Sequence, residues 1–99
     1  MSQFSPKFLE ELQTYDPQLY GTASGVVDMA YAPGALDTKS KLLIAVALDA
    51  LSGSQGGVAS LSARARAAGA SEEEIKEAVR MAYYISGMKV IQAAAGAAN

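Results

Sequence analysis

Ninety-nine residues with a mass of 10.2 kDa are expected to form a single domain (residues 1–99), and a chain this short buries only about two-thirds of the surface it exposes when unfolded. With 8 Lys plus Arg against 10 Asp plus Glu, a net charge of -2 and a pI near 4.9, an electrostatic grip on nucleic acid or on an anionic membrane is disfavoured. Neither Cys nor His occurs, which excludes disulfides, thiol redox chemistry, zinc sites of the usual kind and every triad or dyad that needs an imidazole.

Alanine supplies 20 of the residues and β-branched side chains are sparse, so the chain reads as all-α, a bundle of five or six helices. Ser5-Pro6 predicts an N-cap followed by proline at the first helical position, opening a short helix through about Leu12, and Asp16-Pro17 repeats the signal. From Pro17 to Ala32, Gly21 and Gly25 interrupt the apolar pattern, and one broken or short helix is expected. After the turn at Ala32-Pro33-Gly34, Asp37 caps a helix of about Thr38 to Leu51 that stops at Gly53. Ser54 caps the next, which runs to Ala68 with Gly69 in the left-handed region beyond it. Ser71-Glu72-Glu73-Glu74 is a capping box with acids on the positive helix end, and Glu72 pairs with Lys76 at i,i+4. That helix is expected to reach Ser86 and break at Gly87. A last Ala-rich helix then covers Met88 to about Ala95, with Ala93 to Asn99 fraying.

The longest strongly apolar run, Leu42 to Leu48, is far short of the roughly 20 residues of a membrane span. Met1 to Phe4 carries no leader signal, so a soluble, cytoplasmic chain is expected. The helix of Leu42 to Leu51 is apolar on nearly every face, whereas an outer helix of a small monomer should have one polar face. The expected cover for its other side is a second copy of the chain, giving an obligate oligomer.

Leu36-Asp37-Thr38-Lys39-Ser40-Lys41-Leu42-Leu43-Ile44-Ala45-Val46-Ala47-Leu48, followed by Ala67-Ala68-Gly69-Ala70-Ser71-Glu72-Glu73-Glu74-Ile75, resembles the carboxymuconolactone decarboxylase and alkylhydroperoxidase-D family over about residues 36–97. The resemblance implies an all-α fold and assembly as a homotrimer or homohexamer. In the peroxidase-like branch a Glu, a Cys-x-x-Cys-x-x-x-His motif and a later Gly have fixed offsets. With that Gly on Gly69, the His falls on Leu61, the two Cys on Ser54 and Gly57, and the Glu on Leu42. All four positions are empty of the family's chemistry, so peroxide reduction through a thiolate is rejected. The decarboxylase branch also lacks the Cys pair but keeps a His at the position of Leu61, absent here.

Asp49 is a carboxylate in an otherwise apolar helix, near the C-terminal end where the dipole opposes negative charge, and both influences are expected to favour its protonated form. Seven residues after Leu42, it projects from nearly the same face and lies about 10 Å along the axis towards Ser54. One reading makes it a general acid or base, or a ligand for a substrate hydroxyl; the other makes it the ion-pair partner of Arg64, Arg66 or a neighbouring subunit. Ser54-Gln55-Gly56-Gly57 puts two glycines in a first helical turn, at about 1 kcal/mol each against Ala. They either bare backbone N–H groups for a carboxylate or mark a loose Ser-capped start. Tyr84, with Tyr83 and Tyr31, either offers a phenolic hydroxyl to a pocket or packs at a subunit interface beside Met29, Met81 and Met88.

The candidate binding residues are therefore Asp49, Ser54, Gly57 and Tyr84, with no metal and no cofactor expected. The resemblance implies a non-redox protein that binds or acts on a small organic acid or lactone, as a lyase-type relative. The competing reading is a non-catalytic oligomeric scaffold or ligand-binding protein. One outcome follows from the absence of sulfur nucleophiles: purified protein should turn over no hydroperoxide with any thiol reductant in a peroxide-consumption assay, since methionine cannot replace a thiolate.

Overall fold

Start and stop signals decide most of the helix ends. The structure, a computed structural model, describes residues 4–98, so residues 1–3, part of the stretch read for a leader, and Asn99, at the end of the expected frayed tail, lie outside the described residues. Among the described residues there are five α-helices and a closing 3₁₀ turn, Ala95–Ala98, with no strand. No helix among them is long and apolar enough to cross a membrane. The helices are α1 (Lys7–Tyr15), α2 (Pro17–Tyr31), α3 (Thr38–Ser52), α4 (Gln55–Ala67) and α5 (Glu72–Ala94). The chain divides into two compact units, Met1–Ala35 with α1 and α2 and Leu36–Asn99 with the other three.

In the first unit the expected start of α1 is corrected. Pro6, in extended backbone, is the N-cap and makes no side-chain cap, while its carbonyl accepts from the N–H groups of Leu9 and Glu10. Ser5 is buried rather than capping. The helix also runs a turn beyond Leu12, to Tyr15. Asp16 then accepts from Leu19 N–H at 3.0 Å with Pro17 in the first turn, as expected. Beyond it α2 is one unbroken helix of 15 residues through Gly21 and Gly25, not a broken one. Each glycine costs about 1 kcal/mol in a helix, and the Thr22 hydroxyl, a candidate cap for a new start, donates instead to Gln18 O at 3.3 Å within the same helix. Tyr20 Oη donates to Glu10 Oε2 at 2.8 Å across the pair, and Phe4 stacks on Tyr31 with centroids 4.3 Å apart.

In the second unit α3 packs against both α4 and α5. Its Leu42 and Val46, one turn apart, are fully buried, and they meet a core that includes Ala65 of α4, Ile75 and Ala82 of α5, and Ala70 between them. Asp37 caps α3 from Ser40 N–H at 2.7 Å. The Ser71 capping box is complete, with Ser71 Oγ accepting from Glu74 N–H at 3.0 Å and Glu74 Oε1 from Ser71 N–H at 2.9 Å. Lys39 Nζ lies 3.0 Å from Glu74 Oε2, so α3 and α5 start at the same end of the unit. Glu72 takes Arg66, through Nε and through Nη2 at 3.2 Å, rather than Lys76 as its hydrogen-bond partner. Arg80 meets Glu73 at 3.3 Å.

The expected break at Gly87 does not occur. α5 continues to Ala94 with no separate last helix, because one internal glycine is a small loss inside a helix of 23 residues. As expected from its all-round apolarity, α3 leaves Ile44 and Leu48 about half exposed within one chain.

The capping network carries a pH dependence. The Ser71 N–H, then Lys39, holds the Glu74 carboxyl below its ordinary value of 4.5, Arg66 lowers Glu72, and the hydrogen bonds from Ser40 lower Asp37. A carboxyl whose folded pKa is depressed adds stability above its unfolded value, and that contribution is lost as pH falls through the folded one. The urea midpoint should therefore be flat above pH 4.5 and fall below it. Glu74→Gln should lower the neutral-pH midpoint and flatten the acid limb, as followed by far-UV circular dichroism.

Candidate functional site

α3 and α4 are joined by two residues. Gly53, at φ 82°, is the left-handed residue that ends α3, a conformation that costs glycine no Cβ clash. Its N–H donates to Ala50 O at 3.1 Å and Ser54 N–H donates to Asp49 O at 2.9 Å, the paired bonds of a Schellman ending. Ser52 Oγ also donates to Asp49 O at 3.0 Å. Ser54 then serves α4 as its N-cap, its Oγ accepting from Gly57 N–H at 3.1 Å. One residue thus closes one helix and opens the next.

With so short a connection, the last turns of α3 lie against the first turn of α4. Asp49 is half-buried, on the side of α3 shared with Leu42 and Val46, and its carboxylate rests on the bare backbone of Gly57. A Cβ at Gly57 would stand 2.0 Å from Asp49 Oδ2, 2.8 Å from Asp49 Cγ and 2.7 Å from Ser54 Oγ. A side chain at position 57 would therefore force the Asp49 and Ser54 side chains to shift. Gly56 beside it faces open space. Three of the four candidate residues, Asp49, Ser54 and Gly57, come together. Tyr84 does not join them: it is 54% exposed, and two positions after the buried Ala82 it points about 200° away from the core side of α5.

The electrostatics of Asp49 involve two helix ends. The dipole of its own helix opposes a negative charge there, but its carboxylate also lies on the positive end of α4, where first-turn N–H groups lack acceptors within the helix. Among the described residues no ion pair or hydrogen bond is made by the Asp49 carboxylate, and Arg66 is engaged by Glu72. Leu42, which the resemblance sets at the Glu of the peroxidase-like branch, is 1% exposed in the core, and Leu61, which it sets at the His, is half-buried. No group of three or more acidic, His or Cys side chains among the described residues could hold a metal ion.

One concavity was missed from the sequence. A shallow groove of about 230 Å³ between α3 and α5 is lined by Ala50, Leu51, Val79, Ala82, Tyr83 and Ser86. Its α5 residues recur at i, i+3, i+4 and i+7, the spacing of one helix face, which was the available signal. Tyr83, not its neighbour Tyr84, borders this groove.

Comparison with known proteins adds one match. A family model described as the carboxymuconolactone decarboxylase family matches residues 17–99, so it takes in α2 as well as the stretch 36–97 that carries the resemblance. No curated protein and no solved structure matches the chain.

The two adjacent glycines should respond in opposite directions. Gly56→Ala, with open space around it, should stabilise by about 0.5–1 kcal/mol through reduced freedom of the unfolded chain. Gly57→Ala should destabilise by about 1–3 kcal/mol, since its methyl group collides with both the carboxylate and the capping hydroxyl. Urea unfolding of the two variants beside the parent measures both.

Proposed function

The chain belongs to the carboxymuconolactone decarboxylase family, and from that premise we propose that it is a self-assembling, non-redox member. In this reading it binds or acts on a small organic acid or lactone where α3 turns into α4. The family match covers residues 17–99, all of the second compact unit and α2 of the first, which supports treating the two units as parts of one family domain. The observation that carries the reading is the Asp49 carboxylate, half-buried and without an ion pair, set on the uncovered backbone of Gly57. Such a group can accept a hydrogen bond from a ligand hydroxyl or take a proton as general base.

Asp49 also bears on which ligand group fits there. Its negative charge already occupies the α4 N-terminus, so a second carboxylate directly at Gly57 would meet like-charge repulsion. A hydroxyl-bearing or lactone portion is the part placed beside Asp49, with any ligand carboxylate directed away from it. A second reading, a non-catalytic scaffold or binder that has lost the family's activity, is favoured by the fully buried Leu42 at the position of the family's Glu. There the chain has core in place of an ionisable group.

Asp49→Asn separates the two. A hydrogen bond to a charged acceptor contributes about 1.5–3 kcal/mol, so the first reading expects roughly ten- to hundredfold weaker binding of carboxymuconolactone, with the helical content unchanged. Calorimetric titration of parent and variant provides the measurement. Equal affinity in both, or no binding to the parent at millimolar concentration, would leave the scaffold reading standing.

A further inference from the structure

The C-terminal half of α5 changes character. From residue 81 to residue 98 the only charged side chain is Lys89. Along one line of this helix stand Met81, Tyr84, Met88 and Ile91, exposed by 57%, 54%, 41% and 63%. Their 3-4-3 spacing is the a/d repeat of a helix seam, and Lys89 projects about 100° away from its neighbour Met88. The seam lies outside both the groove with α3 and the Asp49 turn.

Met81 and Tyr84 face away from α3, opposite the groove residues Val79, Ala82, Tyr83 and Ser86, and beyond them α5 outlasts α3 altogether. α3 and α5 start together at the Lys39–Glu74 bridge, but α3 has 15 residues and α5 has 23. At 1.5 Å per residue, α5 outruns α3 by about 12 Å, so its last two turns have no stretch of α3 beside them. Val90 and Ile91, in that overhang, are 68% and 63% exposed.

We infer that this seam is a self-association surface and that its occupant is the same seam of a second copy, running antiparallel across a two-fold axis. An antiparallel pair sets a positions against d positions, which brings Tyr84 against Met88 of the partner subunit and Met81 against Ile91 of the partner subunit. The first contact is a sulfur–aromatic pair made twice by the symmetry. Half-exposed side chains of this size offer on the order of 100 Å² each. Four from each copy, with Ile85 beside them at 49% exposed, give on the order of 1,000 Å², the size a specific interface needs. The uncharged seam provides nothing for an anionic partner to pair with. The inference rests on the reading of the chain as self-assembling and adds the surface and the geometry.

Because the chain has no cysteine, introduced thiols report on this pairing alone. Tyr84→Cys and Met88→Cys are purified separately, mixed, allowed to exchange subunits and oxidised. The expected result is a covalent dimer in the mixture and little in either variant by itself, since residue 84 meets 88 and not 84. Met88→Glu should lower the assembly by at least one step in sedimentation velocity while keeping its far-UV circular dichroism; if it fails to fold, the thiol result decides. A parent that sediments as a monomer at micromolar concentration overturns both this surface and the self-assembly reading. An assembled parent whose mixed thiols do not cross-link overturns the surface and leaves self-assembly intact.

Discussion

A helix that ends and another that begins within two residues leave the chain no slack, and the second unit depends on that constraint. Gly53 turns α3 off in a conformation strained for any side chain, and Ser54 closes the old helix with its N–H while opening the new one with its hydroxyl. α4 must therefore start against the last turns of α3. The same device recurs at its other end. Gly69, at φ 100°, donates to Arg66 O at 3.0 Å, and Ala70 donates to Ala65 O at 2.9 Å before Ser71 caps α5. There Ala65 and Ala70 are both buried, the apolar contact that accompanies a Schellman ending.

The elements legible in the sequence are those set by local chemistry. Asp16, Asp37, Ser54 and Ser71 cap helices, and Gly53 and Gly69 end them, because each needs only neighbours three or four residues away. Gly21, Gly25 and Gly87 misled for the converse reason. A glycine lowers helix propensity without ending a helix, and the helices here end at a left-handed residue, at a new cap or ahead of a proline, none of which these positions supply. Ser5-Pro6 carried the right residues for a cap, but Ser5 is buried and the helix starts one residue later.

The candidate site divides in the same way. Asp49, Ser54 and Gly57 were legible because a short connector and helix periodicity place them together with little tertiary information. The groove between α3 and α5 was not, since Leu51 and Tyr83 come from helices separated by the whole of α4. Choosing Tyr84 over Tyr83 reflects the 100° between adjacent residues, which sequence alone cannot orient until the buried face of α5 is known.

The contact between Asp49 and Gly57 also orders the routes by which this chain can change. A side chain at position 57 meets the carboxylate, which stands 2.0 Å from where its Cβ would be. Shortening position 49 first opens the space, whereas filling position 57 first passes through a strained intermediate. The two positions are thus coupled as steps of a path, and a side chain at position 57 is gained with least strain once residue 49 has been shortened. A carboxylate at this place on α3 acts as a ratchet on the helix beside it.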